Sequence, residues 1–107
     1  MNLEQLGNEV EAVSQIYASR HQIQRSPEWL MLKLHEEVGE LTQAFLMKTG
    51  QGRNKGRTDS ELDASFEAEL ADVLAQTLLL GHHFGIDVEK AVERKWLVWK
   101  QQVETAR

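Results

Sequence analysis

The chain has 107 residues, 41% apolar and 27% charged, with no cysteine and a formal net charge of −5. That is enough for one domain with a core; it excludes a disulfide framework, a thiolate metal site and a general duplex-DNA binder, which needs a basic surface. No apolar run approaches the roughly 20 residues that span a bilayer, and the N-terminus lacks the layout of a signal peptide, so the expected location is the cytoplasm.

Hydrophobic periodicity predicts an all-α fold of four helices and no strand, in a single domain over residues 1–107. Helix 1 is expected over about residues 2–22. Leu3, Leu6, Val10, Val13 and Tyr17 form its apolar stripe, opposite a polar face. Ser26-Pro27-Glu28 then reads as a helix start. Serine caps, proline suits the first helical position, and glutamate favours the positive end of the dipole. Helix 2 is expected from Pro27 to about Lys48, with Leu30, Leu34, Val38, Leu41 and Phe45 as its stripe and Gly50 as its stop.

Residues 49–57 read as a loop, rich in glycine and made basic by Arg53, Lys55 and Arg57. It is not a P-loop, because it lacks the G-x-x-x-x-G-K-[ST] order and a preceding strand. Thr58 and Glu61 have capping-box spacing and restart the chain as helix 3, over about residues 59–84. Phe66, Leu70, Val73, Thr77, Leu80 and Phe84 form one stripe of this helix, and Ala71, Leu74 and Leu78 a second. A helix apolar on nearly all sides is expected at the centre of the fold, partly covered by a second subunit. Gly85 ends it, and Asp87 caps helix 4, over about residues 87–105, with Val88, Val92, Trp96, Trp99 and Val103 as its stripe.

Two carboxylate pairs stand at i, i+3: Glu37 with Glu40, and Glu69 with Asp72. Each pair shares one helix face. With Leu34 at zero, Glu37 falls at about 300° and Glu40 at about 240°, beside the apolar stripe of helix 2. With Leu70 at zero, Glu69 falls at about 260° and Asp72 at about 200°, again beside a stripe; Gln76 lies between them, at about 240°. An antiparallel hairpin of helices 2 and 3 would bring the pairs face to face. Either these groups are solvated helix surface, or four clustered carboxylates repel until a cation binds or a proton does. All-oxygen ligands select a hard cation, Mg²⁺ or Mn²⁺, and Mg²⁺ commonly bridges to phosphates. Metal and phosphate together make phosphoanhydride hydrolysis the natural chemistry.

The stretch from Lys33 to Leu41, His-Glu-Glu-Val-Gly-Glu-Leu at its end, followed by Glu67-Ala68-Glu69-Leu70-Ala71-Asp72-Val73-Leu74, resembles the MazG-like all-α nucleoside triphosphate pyrophosphohydrolases. The likeness runs from helix 2 into helix 4. It implies a helical bundle that forms a homodimer or a dimer of dimers through its central helices. It implies Mg²⁺-dependent cleavage of (d)NTPs, non-canonical ones included, to a monophosphate and pyrophosphate. It assigns Glu37, Glu40, Glu69 and Asp72 as metal ligands. Glu36 matches an extra acidic position, and either Glu36 or Glu40 would take the proton of the attacking water. Lys33 would offset charge near the site, and Lys95 matches a phosphate-side base on the last helix. Trp99 departs from the pattern, since many relatives carry asparagine there.

Trp29 lies on the side of Glu40 and either stacks on a base or packs in the core or a subunit interface. His21 either reaches a base or ends helix 1 as a polar residue. His35 points away from the acidic side, and His83 lies too far past Asp72 to join a metal site. Arg53, Lys55 and Arg57 either close over phosphates or stay solvated. A phosphoribosyl-ATP pyrophosphohydrolase shares the helical fold and acidic motif, and a non-catalytic dimerisation module is the alternative outside enzymes. A di-iron bundle fails, because no histidine stands three residues after a glutamate.

Overall fold

Each of the four α-helices among the described residues begins at a side chain that accepts one of its free N–H groups. The structure, a computed structural model, describes residues 1–100. Helix α1 spans Leu3–Arg20, α2 Pro27–Lys48 and α3 Asp59–His83, and α4 begins at Val88. No strand occurs among the described residues, and none of their helices is long and apolar enough to cross a membrane. Asn2 and Gln5 form a capping box for α1, a signal the apolar pattern alone does not carry. The Ser26 hydroxyl accepts the Trp29 N–H at 3.1 Å, with Pro27 at the first helical position. Thr58 and Glu61 form the expected capping box of α3. Asp87 accepts the Lys90 N–H at 3.0 Å at the start of α4. Gly50 and Gly85 follow α2 and α3 with φ of 78° and 67°, the left-handed region that favours glycine. Ser26→Ala is expected to destabilise the fold by about 1 kcal/mol in urea unfolding, because the cap would leave a helix N–H unpaired.

The helices α2 and α3 pack antiparallel. Near their connecting loop Lys48 pairs with Asp63, and the Phe45 and Phe66 rings lie 6.2 Å apart. At the other end Pro27 and Met31 face Thr77, Leu80 and Phe84 across an apolar groove. Leu30, with 2% of its surface exposed, anchors this pairing together with Ala44, Leu62, Leu78 and Leu79.

The helix α1 packs on α3, but not on the face its apolar stripe marks. Glu11 and Ala18 are its buried residues, flanked by half-buried Gly7 and Ser14, whereas Val13 and Tyr17 are largely exposed. An ion pair explains the rotation. The buried Glu11 carboxylate is held by Arg25, from the α1–α2 connection, and lies 3.4 Å from Nδ1 of His82 on α3. A buried charge needs such partners, and with them in place the face that carries it is tolerated inside.

The helix α3 does lie between α1 and α2. Leu70 and Leu74 on its outer side are nonetheless exposed in the single chain. The fourth helix departs further from a closed bundle. Val88 packs so closely on Gly81 that a Cβ there would meet its Cγ2 at 2.7 Å. Every residue from Glu89 to Lys100 is exposed, Trp96 at 68% and Trp99 at 59%. The helix is α-helical over Val88–Val92 and makes a π-helical turn over Glu93–Leu97. The Cα radius of gyration is 17.1 Å, against about 13 Å for a compact chain of this length. The expected extension of α4 to residue 105, with Val103 in its stripe, falls outside the described residues.

Candidate active site and metal centre

The buried line of α2 runs through Leu30, Glu37 and Ala44, seven residues apart each time. Glu37 is therefore turned further inward than its place beside the apolar stripe predicts, and Val38 of that stripe is the more exposed of the two. Only 9% of the Glu37 surface remains accessible. One turn on, Glu40 is half-buried, and α3 brings Glu69 against both. Carboxylate oxygens of Glu37, Glu40 and Glu69 lie within 4.8 Å of one another. Asp72 stands outside that trio but lines the same cleft as Glu37 and is close enough for its charge to act on Glu37 and Glu69.

Such crowding has an electrostatic consequence. Burial, followed by the neighbouring Glu40 and Asp72 carboxylates, pushes Glu37 up to about 7, with Lys33 acting weakly against them. Burial also raises Glu69, with Glu40 and Asp72 adding to it. Oε2 of Glu37 and Oε2 of Glu69 are both buried without a hydrogen-bond partner. Two orphaned carboxylate oxygens inside an acidic cluster are what a hard divalent cation satisfies, by bringing positive charge to oxygen donors. The residues present fit Mg²⁺ or Mn²⁺.

Beside the cluster opens a cleft of about 540 Å³ between α1, α2 and α3. From α2 it receives Trp29, Lys33 and Glu37; from α3, Asp72, Gln76 and Leu79. From α1 it receives Val10, Val13, Ser14 and Tyr17. Lys33 lies 6.0 Å from the Trp29 ring centre and 3.4 Å from the exposed Glu36 carboxylate. Lys33 and Trp29 thus join the acidic residues in one concavity, while Glu36 stays on the outer side of α2. Arg53, Lys55 and Arg57 lie in the exposed loop where α2 ends, away from the Trp29 end of the cleft. Lys95 is exposed on α4 and does not line the cleft in this chain. His21 is exposed, its ring tilted against that of Tyr17 with the centres 4.4 Å apart, His83 packs edge-on against Phe84, and His35 is exposed.

Sequence reasoning missed the α1 wall and Gln76. Val13 and Tyr17 read as core packing because they continue an apolar stripe. They leave the core because Glu11 occupies it, and so come to face the cleft. Gln76 shares the angular side of the acidic pair on α3, which places it without giving it a task.

The model of the MazG nucleotide pyrophosphohydrolase domain matches residues 25–96, more than half of the chain. No curated protein and no solved structure matches it. The matched span begins just before α2 and ends within α4, and so contains both acidic pairs and the helical hairpin that carries them. The chain belongs to the family of MazG nucleotide pyrophosphohydrolase domains.

Proposed function

We propose that the protein hydrolyses (d)NTPs, non-canonical ones included, to the nucleoside monophosphate and pyrophosphate, with Mg²⁺ as cofactor. The observation that carries this reading is the half-buried acidic cluster with two orphaned oxygens, opening onto a cleft that bears an aromatic ring and a lysine. Glu37, Glu40, Glu69 and Asp72 would hold the ion. When bound, it supplies neutralisation of phosphate charge and a more acidic water. Glu40 lies inside the cluster and is the better-placed acceptor for the proton of the attacking water. Glu36 faces solvent and is engaged by Lys33. Lys33, one turn from Glu37, brings a cation into the cleft next to the carboxylates, and Trp29 offers a face for the base. The loop residues Arg53, Lys55 and Arg57 and the α4 residue Lys95 are candidates for the outer phosphates.

The reading includes self-association, which exposed apolar surface supports. Leu70, Leu74, Val92, Trp96 and Trp99 are all exposed in one chain, and apolar surface on this scale marks an interaction surface. A homodimer or a dimer of dimers would cover them.

The direct test is pyrophosphate release from a panel of canonical and modified dNTPs, with and without Mg²⁺. Absence of release from every nucleotide, by folded protein, refutes the catalytic reading. Within it, Trp29→Ala is expected to raise KM about tenfold with little change in kcat, the size of one lost base–aromatic stack. Steady-state kinetics on the preferred nucleotide measures it.

A further inference from the structure

Gln76 is a polar side chain of the cleft wall to which the reading above gives no task. Its Oε1 is buried and has no hydrogen-bond partner. A buried acceptor without a donor costs stability, so one on a residue that lines an open cleft points to a donor that arrives with the ligand as the amide turns toward it.

Its level in the cleft says which part of the ligand. Gln76 follows Asp72 by four residues, on the same face of α3 and about 6 Å further along its axis. On the antiparallel α2, Lys33 lies one turn from Glu37 in the same direction, and Trp29 two turns. Along α2 and α3 the cleft therefore has three levels: carboxylates, then Lys33 with Gln76, then Trp29 with Leu79. A nucleotide has three parts in the same order: phosphates, sugar and base.

We propose that Gln76 hydrogen-bonds a sugar hydroxyl of the bound nucleotide and so makes the site sensitive to the sugar. This rests on the nucleotide reading above. A hydroxyl suits this position better than a base edge. It both donates and accepts, so it satisfies the amide whichever of Oε1 and Nε2 faces the cleft, whereas a base carbonyl or amino group satisfies only one of them.

The test uses three nucleotides of one base: ribo, 2′-deoxy and 2′,3′-dideoxy. Binding of the three monophosphates is measured by calorimetry at saturating Mg²⁺, and pyrophosphate release from the three triphosphates in parallel. The wild-type protein is expected to bind a hydroxyl-bearing sugar about tenfold or more tightly than the dideoxy one. Gln76→Leu should close that gap by weakening only the hydroxyl-bearing ligands. The ribo and 2′-deoxy arms separate a 2′- from a 3′-hydroxyl. The ligand-free Gln76→Leu protein should also melt a few degrees higher, since an apolar group replaces an unpaired amide. Should that variant not fold, Gln76→Met reads the same gap. The inference is overturned if the wild type shows no gap, if the gap survives the substitution, or if all three sugars weaken equally. If no triphosphate is hydrolysed while the monophosphate gap opens and closes as stated, the hydrolase reading fails and the role of Gln76 stands.

Discussion

Glu37→Gln is expected to lower kcat/KM for pyrophosphate release about a thousandfold, equivalent to about 4 kcal/mol of lost transition-state stabilisation. The size follows from where Glu37 sits. It is the most buried carboxylate of the cluster, its Oε2 has no protein partner, and it touches the cleft that would take the phosphates. Glutamine keeps the shape and removes the charge that a hard cation requires. Glu69→Gln should behave alike, because its Oε2 is orphaned in the same way. Glu67→Gln is the control: Glu67 is exposed on another side of α3 and should leave the rate within about twofold, as surface substitutions away from a site do. Kinetics at saturating Mg²⁺ checks all three. Equal losses in Glu37→Gln and Glu67→Gln would remove the basis for the cage.

What the sequence makes legible here is what is local. The caps at Ser26, Thr58 and Asp87 need only residues within one turn, and all three form. The carboxylate pairs are legible for the same reason, since i, i+3 spacing on a helix fixes a shared face. Packing the two helices antiparallel then brings three of the four carboxylates together without further information. What is not legible depends on partners far along the chain. The inward face of α1 is set by a carboxylate, Glu11, whose partner Arg25 lies 14 residues away and whose histidine lies on α3. Apolar periodicity votes for Leu6, Val13 and Tyr17, and an ion pair overrules it. The α4 stripe is legible as a stripe but not as to what covers it, because beyond Val88 no other helix among the described residues does.

The inward face of α1 bears on function. The rotation of α1 takes Val13 and Tyr17 out of the core and gives the cleft its apolar wall. Burying Glu11 instead is costly unless Arg25 and His82 stay in place. A helix that only packed its stripe would close the space in which a nucleotide is expected to sit. The cleft is thus walled by an apolar stripe whose sequence pattern points to a core.

The metal-free protein is expected to lose about 3 kcal/mol of stability between pH 5 and pH 8, and Mg²⁺ should restore much of it at the upper end. Glu37 is pushed from an ordinary 4.5 up to about 7. Between those values the folded protein binds more protons than the unfolded chain. Stability therefore falls as pH rises through that window, and is fully present only below it. The raised Glu69 acts in the same direction. Most carboxylates in proteins work the other way, so the sign identifies the cluster. Glu37→Gln should flatten the slope and stabilise the metal-free protein at pH 8, while destroying activity. Magnesium should do in the wild type what the substitution does, by supplying the missing positive charge; at a hundred times its Kd it adds about 2.7 kcal/mol. Urea unfolding at pH 5, 6.5 and 8, with Mg²⁺ or with EDTA, measures every part of this. Stability that is level across that range, and indifferent to Mg²⁺, would mean that Glu37 is solvated and that these carboxylates are helix surface.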